Sequence, residues 1–95
     1  MNQTARGDVV AWAVADLADR LDVGPEQIEV LSVEEVTWRD RSLGCPRPGM
    51  MYVQVLTPGN RIVLEYGGRR YEYHSGGSRR PFLCKNPQPP LENRP

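Results

Sequence analysis

Two successive glycines, Gly67-Gly68, set between Ile62-Val63-Leu64-Glu65-Tyr66 and Arg69-Arg70-Tyr71-Glu72-Tyr73, constrain the fold more than any other feature of this chain. A two-residue connection between antiparallel strands needs positive φ at its centre, which glycine adopts without steric cost. Pairing Tyr66 with Arg69 then sets the register by alternation. Leu64 faces Tyr71, Ile62 faces Tyr73, and Glu65 lies opposite Arg70 on the other side.

Pro58-Gly59 suits the centre of a type II turn and predicts a further strand over 50–56, ahead of strands at 61–66 and 69–74. That turn sets Val55 by Ile62 and Val53 by Leu64. One face of the meander then carries Met51, Val53, Val55, Ile62, Leu64, Tyr66, Tyr71 and Tyr73, the pattern needed to pack on a helix. The other face is polar, with Gln54, Arg61, Glu65, Arg70, Glu72 and His74. Phe82-Leu83-Cys84 predicts a last short strand, and the Pro-rich residues 85–95 an extended, mobile tail.

Ahead of the meander, Val10, Ala13, Val14, Leu17, Ala18 and Leu21 recur at helical spacing behind Asp8, a suitable N-cap. A helix is predicted over 8–22, ending at Val23-Gly24-Pro25, with a short turn through Glu26 and Gln27. β-Branched residues from Ile28 to Trp38 predict a strand, and its alternation slips between Val30 and Val33, as a bulge near Leu31 and Ser32 would cause. The fold class is therefore α+β: one N-terminal helix on an antiparallel meander of four to five strands. Residues 1–7 read as a flexible N-terminus and 8–84 as a single domain.

Twelve basic residues balance twelve acidic ones, so no net field draws the chain to nucleic acid or to an anionic membrane. No stretch approaches the roughly 20 apolar residues of a membrane span, and Met1 runs into polar Asn2-Gln3-Thr4 without an apolar h-region, so this sequence is expected to carry no export signal of its own, a trimmed one being left open. Cys45 and Cys84 are expected to form a disulfide, which would contribute roughly 4 kcal/mol in the chain-entropy model. Such bonds persist mainly outside the cytosol, so a secreted or extracytoplasmic location is expected, with a cytoplasmic one left open. Two distant cysteines and one histidine fall short of a metal site, and no cofactor is implied.

His74, the only histidine, invites comparison with hydrolytic sites, with Ser42, Ser75 and Asp40 available. No nucleophile elbow surrounds either serine, and a histidine at a strand end reads as a solvated polar residue. Glu34 and Glu35 point to opposite faces and cannot share a site. The glycine pairs lack the strand, loop and helix order of a phosphate cradle. Arg69, Arg70, Arg79 and Arg80 would suit single-stranded nucleic acid only if Tyr71 and Tyr73 were exposed, and the register buries both. What remains is the loop from Ser42 to Tyr52, stiffened by two prolines. Leu43, Pro46, Arg47, Pro48, Met50 and Tyr52 are its candidate contact residues, and a protein is the expected partner.

Val36-Thr37-Trp38, Ser42-Leu43-Gly44-Cys45-Pro46, Pro48-Gly49-Met50, Gln54 to Gly59 and Tyr71-Glu72-Tyr73-His74 together resemble a family of small bacterial domains of uncharacterised function, often exported or lipid-anchored. The resemblance spans about residues 8–84 and implies a fold and a compartment, not an activity. Arg39 departs from it where Pro is expected, and Asn60 where Tyr is expected. More weakly, Cys45-Pro46-Arg47 is similar to the reactive loop of subtilisin-inhibitor proteins, which implies Arg47 as the residue entering a protease's primary specificity pocket. Pro48 after that position and the lack of a second disulfide depart from the pattern. The sequence thus points to a non-enzymatic interaction domain using the 42–52 loop, with protease inhibition through Arg47 as a narrower alternative and a hydrolase centred on His74 as a third.

Overall fold

The computed structural model describes residues 2–91, with side chains described from Asp8 onward. Helix α1 (Asn2–Leu21) begins ahead of Asp8, which therefore lies inside the helix rather than at its cap. Gly7 and Asp8 are poor helix formers, but each costs about 1 kcal/mol or less, too little to stop the helix. The helix closes where Asp22 turns left-handed at φ 58°, its N–H donating to the Asp19 carbonyl and that of Val23 to the Ala18 carbonyl. Asp22 plays the part that Gly24 is expected to play; Gly24 has an ordinary φ of −73°. Pro25–Gln27 forms the anticipated short turn, of 3-10 type.

Strands β1 (Glu29–Trp38), β2 (Thr57–Tyr66), β3 (Arg69–Gly76) and β4 (Arg79–Cys84) build one antiparallel sheet in chain order. The Gly67-Gly68 hairpin has the register read from its alternation: Tyr66 pairs with Arg69, Glu65 with Arg70, Leu64 with Tyr71 and Ile62 with Tyr73. Between β1 and β2 the register shifts at Val30/Ser32, which leaves Leu31 as the extra residue of the expected bulge. The anticipated short strand at Phe82 lengthens to begin at Arg79, paired back across a turn at Gly77-Ser78. No helix among the described residues is long and apolar enough to cross a membrane.

One prediction fails outright. The alternation of Met51, Val53 and Val55 predicts a strand over 50–56, and these residues form none. β1 occupies the place beside β2 that this segment was assigned, with Val33 opposite Ile62 and Val30 opposite Leu64. Pro58-Gly59 accordingly sits inside β2, paired with Thr37 and Val36, rather than at a turn. Gly59 is required there by proximity, because a Cβ would collide with the Ser75 carbonyl.

The two faces of the sheet carry two separate cores. On one, Ile62, Leu64 and Tyr73 pack against Ala13, Leu17 and Ala18 of α1, together with Ile28. There the Tyr73 hydroxyl donates to Asp16 at 2.7 Å. On the other, Trp38 and His74 are wholly buried and stack with ring centroids 4.3 Å apart, beneath Leu43 of the long β1–β2 connection. His74 is thus a core residue and not a solvated one, since a loop distant in sequence covers it. The tail is tied down too: Gln88 N–H donates to the Gly44 carbonyl, and Leu91 N–H to that of Thr37. Met1 and residues 92–95, the last of the expected tail, lie outside the described residues.

Candidate functional site: the disulfide-anchored loop

The connection from Arg39 to Leu56 has a buried base and an exposed tip, and the expected contact residues divide between them. Asp40 starts the base. Its carboxylate accepts the Ser42 N–H at 2.8 Å, and hydrogen bonds from Ser42 hold its carboxyl below the ordinary range. Leu43 follows with φ 57° and is 2 % exposed, its side chain beside Gly76. Leu43 is therefore a packing residue, and its side chain offers nothing to a partner. Gly44, at φ 74°, lies against the Trp38 ring so closely that a Cβ would collide with it.

The disulfide joins Cys45 to Cys84 with Cα atoms 5.8 Å apart, tying the base to the end of β4. Beyond it Pro46, Arg47, Pro48 and Met50 are exposed. Met50 N–H donates to the Arg47 carbonyl at 3.2 Å, and Gly49 has φ 80°, so Pro48-Gly49 is the centre of a tight turn. The Pro-Gly turn chemistry expected at 58–59 operates here instead. Tyr52 is half-buried, its hydroxyl accepting the Arg47 N–H at 3.1 Å, and so supports the turn from inside.

After the turn, Arg41 N–H donates to the Val53 carbonyl, Val55 N–H to the same carbonyl, and the Thr57 hydroxyl to the Val55 carbonyl. These bonds hold residues 53–56 in an irregular path without a sheet neighbour. Met51 is consequently 94 % exposed, Val53 66 %, Leu56 60 % and Met50 58 %. Sequence reasoning had named Met50 alone of these four as a contact residue. The alternation of Met51 and Val53 hides them, because it reads as the inner face of a strand, and Leu56 lies beyond the 42–52 loop. Arg39, Arg41 and Arg47, all exposed, belong to the same connection, and the Arg41 backbone is bonded to Val53.

Beneath the base, His74 makes two contacts: Nδ1 lies 2.6 Å from the Leu43 carbonyl and Nε2 2.7 Å from Glu72 Oε2. Arg61 grips Glu72 through Nε at 2.7 Å and reaches Glu34 through Nη1 at 2.9 Å. Burial pushes the Glu72 carboxyl up, but hydrogen bonds from Arg61 and His74 outweigh it and hold it below the ordinary carboxylate range. The ring is fully buried and its two nitrogens face the Leu43 carbonyl and Glu72 rather than the hydroxyl of Ser42 or Ser75. Neither the tip nor this network arranges a nucleophile, base and orienting acid in the order acyl transfer requires.

No curated protein and no solved structure matches the chain. A match to the family described as Domain of unknown function (DUF8738) runs over residues 10–84, from the first packed turns of α1 to the disulfide cysteine of β4. It takes in both cores and the whole loop, and on that match the chain belongs to the DUF8738 family, a domain of unknown function.

Proposed function

We propose that this domain is a non-enzymatic binding module that works outside the cytoplasm and contacts a protein partner through the tip of the 39–56 loop. The observation that carries this reading is the run of exposed apolar side chains at Met50, Met51, Val53 and Leu56 on a segment fixed at both ends. Apolar groups gathered this way are costly to leave in water and mark contact surfaces. The segment is held by the disulfide, the Pro48-Gly49 turn and the Arg41–Val53 bond, so little conformational entropy is lost on docking. Three exposed arginines on the same connection, Arg39, Arg41 and Arg47, suit a partner that offers an apolar recess and acidic groups. The disulfide is compatible with an extracytoplasmic location.

The narrower reading, inhibition of a serine protease through Arg47, has less support. An inhibitory loop presents its scissile bond in extended form, whereas the Arg47 carbonyl is turned inward to accept from Met50. The hydrolase reading has less again, given the engaged and buried His74.

Affinity capture from envelope extract with three oxidised baits tests the proposal: wild type, Met51→Asp with Leu56→Asp, and Asp19→Lys on the far helix face. A saturable partner held by wild type and Asp19→Lys and lost with the loop double variant supports the loop surface. The same proteins captured by all three baits would overturn it.

A further inference from the structure

His74 faces hydrogen-bond acceptors at both ring nitrogens. A backbone carbonyl can only accept, and an ionised carboxylate can only accept. Leu43 O lies 2.6 Å from Nδ1 and Glu72 Oε2 2.7 Å from Nε2. Glu72 is gripped by Arg61 through both Nε and Nη2, the setting of an ionised group. A neutral imidazole carries one N–H and can satisfy only one of these contacts. The doubly protonated ring satisfies both, and the Trp38 face stacked on it favours a cation.

We propose that His74 is a proton-dependent latch on the contact loop: carrying two protons it bridges Glu72 to the Leu43 carbonyl, and on losing one it lets the loop base go. The consequence for binding rests on the reading of the loop tip as the contact surface. Leu43 is the contact that fails because the remaining proton stays on Nε2, opposite the anionic carboxylate. The Nδ1 lone pair then opposes the carbonyl lone pairs. Leu43 is also the strained partner, at φ 57°, and depends on its surroundings to hold that conformation. Releasing its carbonyl loosens the contact that Leu43 makes beside Gly76.

Every element packed around the ring bears on its charge. Glu72 comes from its own strand and touches it. Arg61 lies opposite His74 on β2 and is shared between Glu72 and Glu34 of β1. From β4, Arg79 stacks on the Phe82 ring, whose edge meets His74. Asp40 of the loop is occupied by Ser42. The two arginines oppose a second proton on the ring, and Glu72, in direct contact, favours it. The latch is therefore closed at mildly acidic pH and opens as pH rises. At strongly acidic pH, protonation of Glu72 removes its other end.

The test is NMR of the oxidised, ¹⁵N-labelled full chain between about pH 5 and 8.5, the range over which imidazole changes charge. At the acid end both ring nitrogens are expected to carry protons. On titration Nδ1 should lose its proton, and the amides of Arg41, Leu43 and Cys45 should shift with the same midpoint, while those of Leu64 and Tyr71 stay still. Glu72→Gln, which removes the anionic partner at Nε2, should lower that midpoint; if the variant does not fold, the wild-type titration decides alone. A ring that keeps the same protons throughout, loss from Nε2, or a ring that titrates while the loop amides do not move would overturn the latch. No partner is present, so failure here leaves the contact surface standing, and failure of the capture experiment leaves the latch standing.

Discussion

The indole N–H of Trp38 donates to the Ser75 carbonyl at 2.9 Å, joining the end of β1 to β3 across the intervening β2. The reach is open because Gly59 and Gly76 lie opposite each other on β2 and β3 and keep that lane free of side chains. The donor is a side chain remote in sequence, and the bond lies within the second core.

Trp38→Phe keeps an aromatic ring but removes the indole bond to the Ser75 carbonyl and leaves a gap. The lost hydrogen bond alone costs about 0.5–1.5 kcal/mol, so the urea midpoint should fall with little change in m-value. An unchanged midpoint would mean that this bond contributes nothing to the second core.

Gly76→Ala tests the packing of the loop base. Its Cβ would lie 2.8 Å from Leu43 Cδ2 and 3.2 Å from both Trp38 Cδ1 and the Pro58 carbonyl. Overpacking of this kind costs about 1–3 kcal/mol. Because Leu43 is the nearest neighbour, shifts in amide spectra should concentrate in residues 40–45 and spare the helix.

Replacing both cysteines by serine removes a cross-link between residues 39 apart in sequence. The chain-entropy relation puts the loss at about 4 kcal/mol. The melting temperature should fall by about 16–32 °C, at about 4–8 °C per kcal/mol for a domain of this size. The sheet should survive in far-UV circular dichroism below the new transition.

Acid should destabilise the helix–sheet interface through Asp16. Burial pushes its carboxyl up, but hydrogen bonds from Arg20 and Tyr73 outweigh this and lower it. A depressed carboxylate contributes stability above its unfolded-state pKa, near 3.9, and loses it as pH falls through the folded value. Tyr73→Phe removes the 2.7 Å bond to Asp16 and should cost about 1.5–3 kcal/mol at neutral pH, as for a hydrogen bond to a charged group. The cost should shrink in strong acid, where Asp16 is protonated in wild type as well; urea titrations at neutral pH and at about pH 2 compare the two.

How far the sequence revealed this molecule depended on whether each signal was local. Gly67-Gly68 with its flanking alternation needs only its two neighbouring strands, and its register appears in the structure residue by residue. The slip between Val30 and Val33 is equally local, and the bulge lies there. Met51, Val53 and Val55 misled because alternation says a segment could face a core, not which strand takes the place beside β2. His74 misled for the same reason: Trp38 and Leu43 bury it from positions far along the chain. The cysteine pairing was legible because only one pairing exists. The exposed tip was half legible, in Arg47, Pro48 and Met50, and hidden where its apolar residues mimicked a strand.

In the proposed function the 50–56 tip meets a protein partner, and the rest of the loop serves as its frame. A photo-reactive residue at position 51, and in a separate variant at position 19 on the helix, tests it directly in oxidised protein irradiated with envelope extract. A discrete adduct from position 51, competed by excess unlabelled wild type and not by Met51→Asp with Leu56→Asp, is the expected result. No competed adduct from position 51, or the same adduct from position 19, would contradict it.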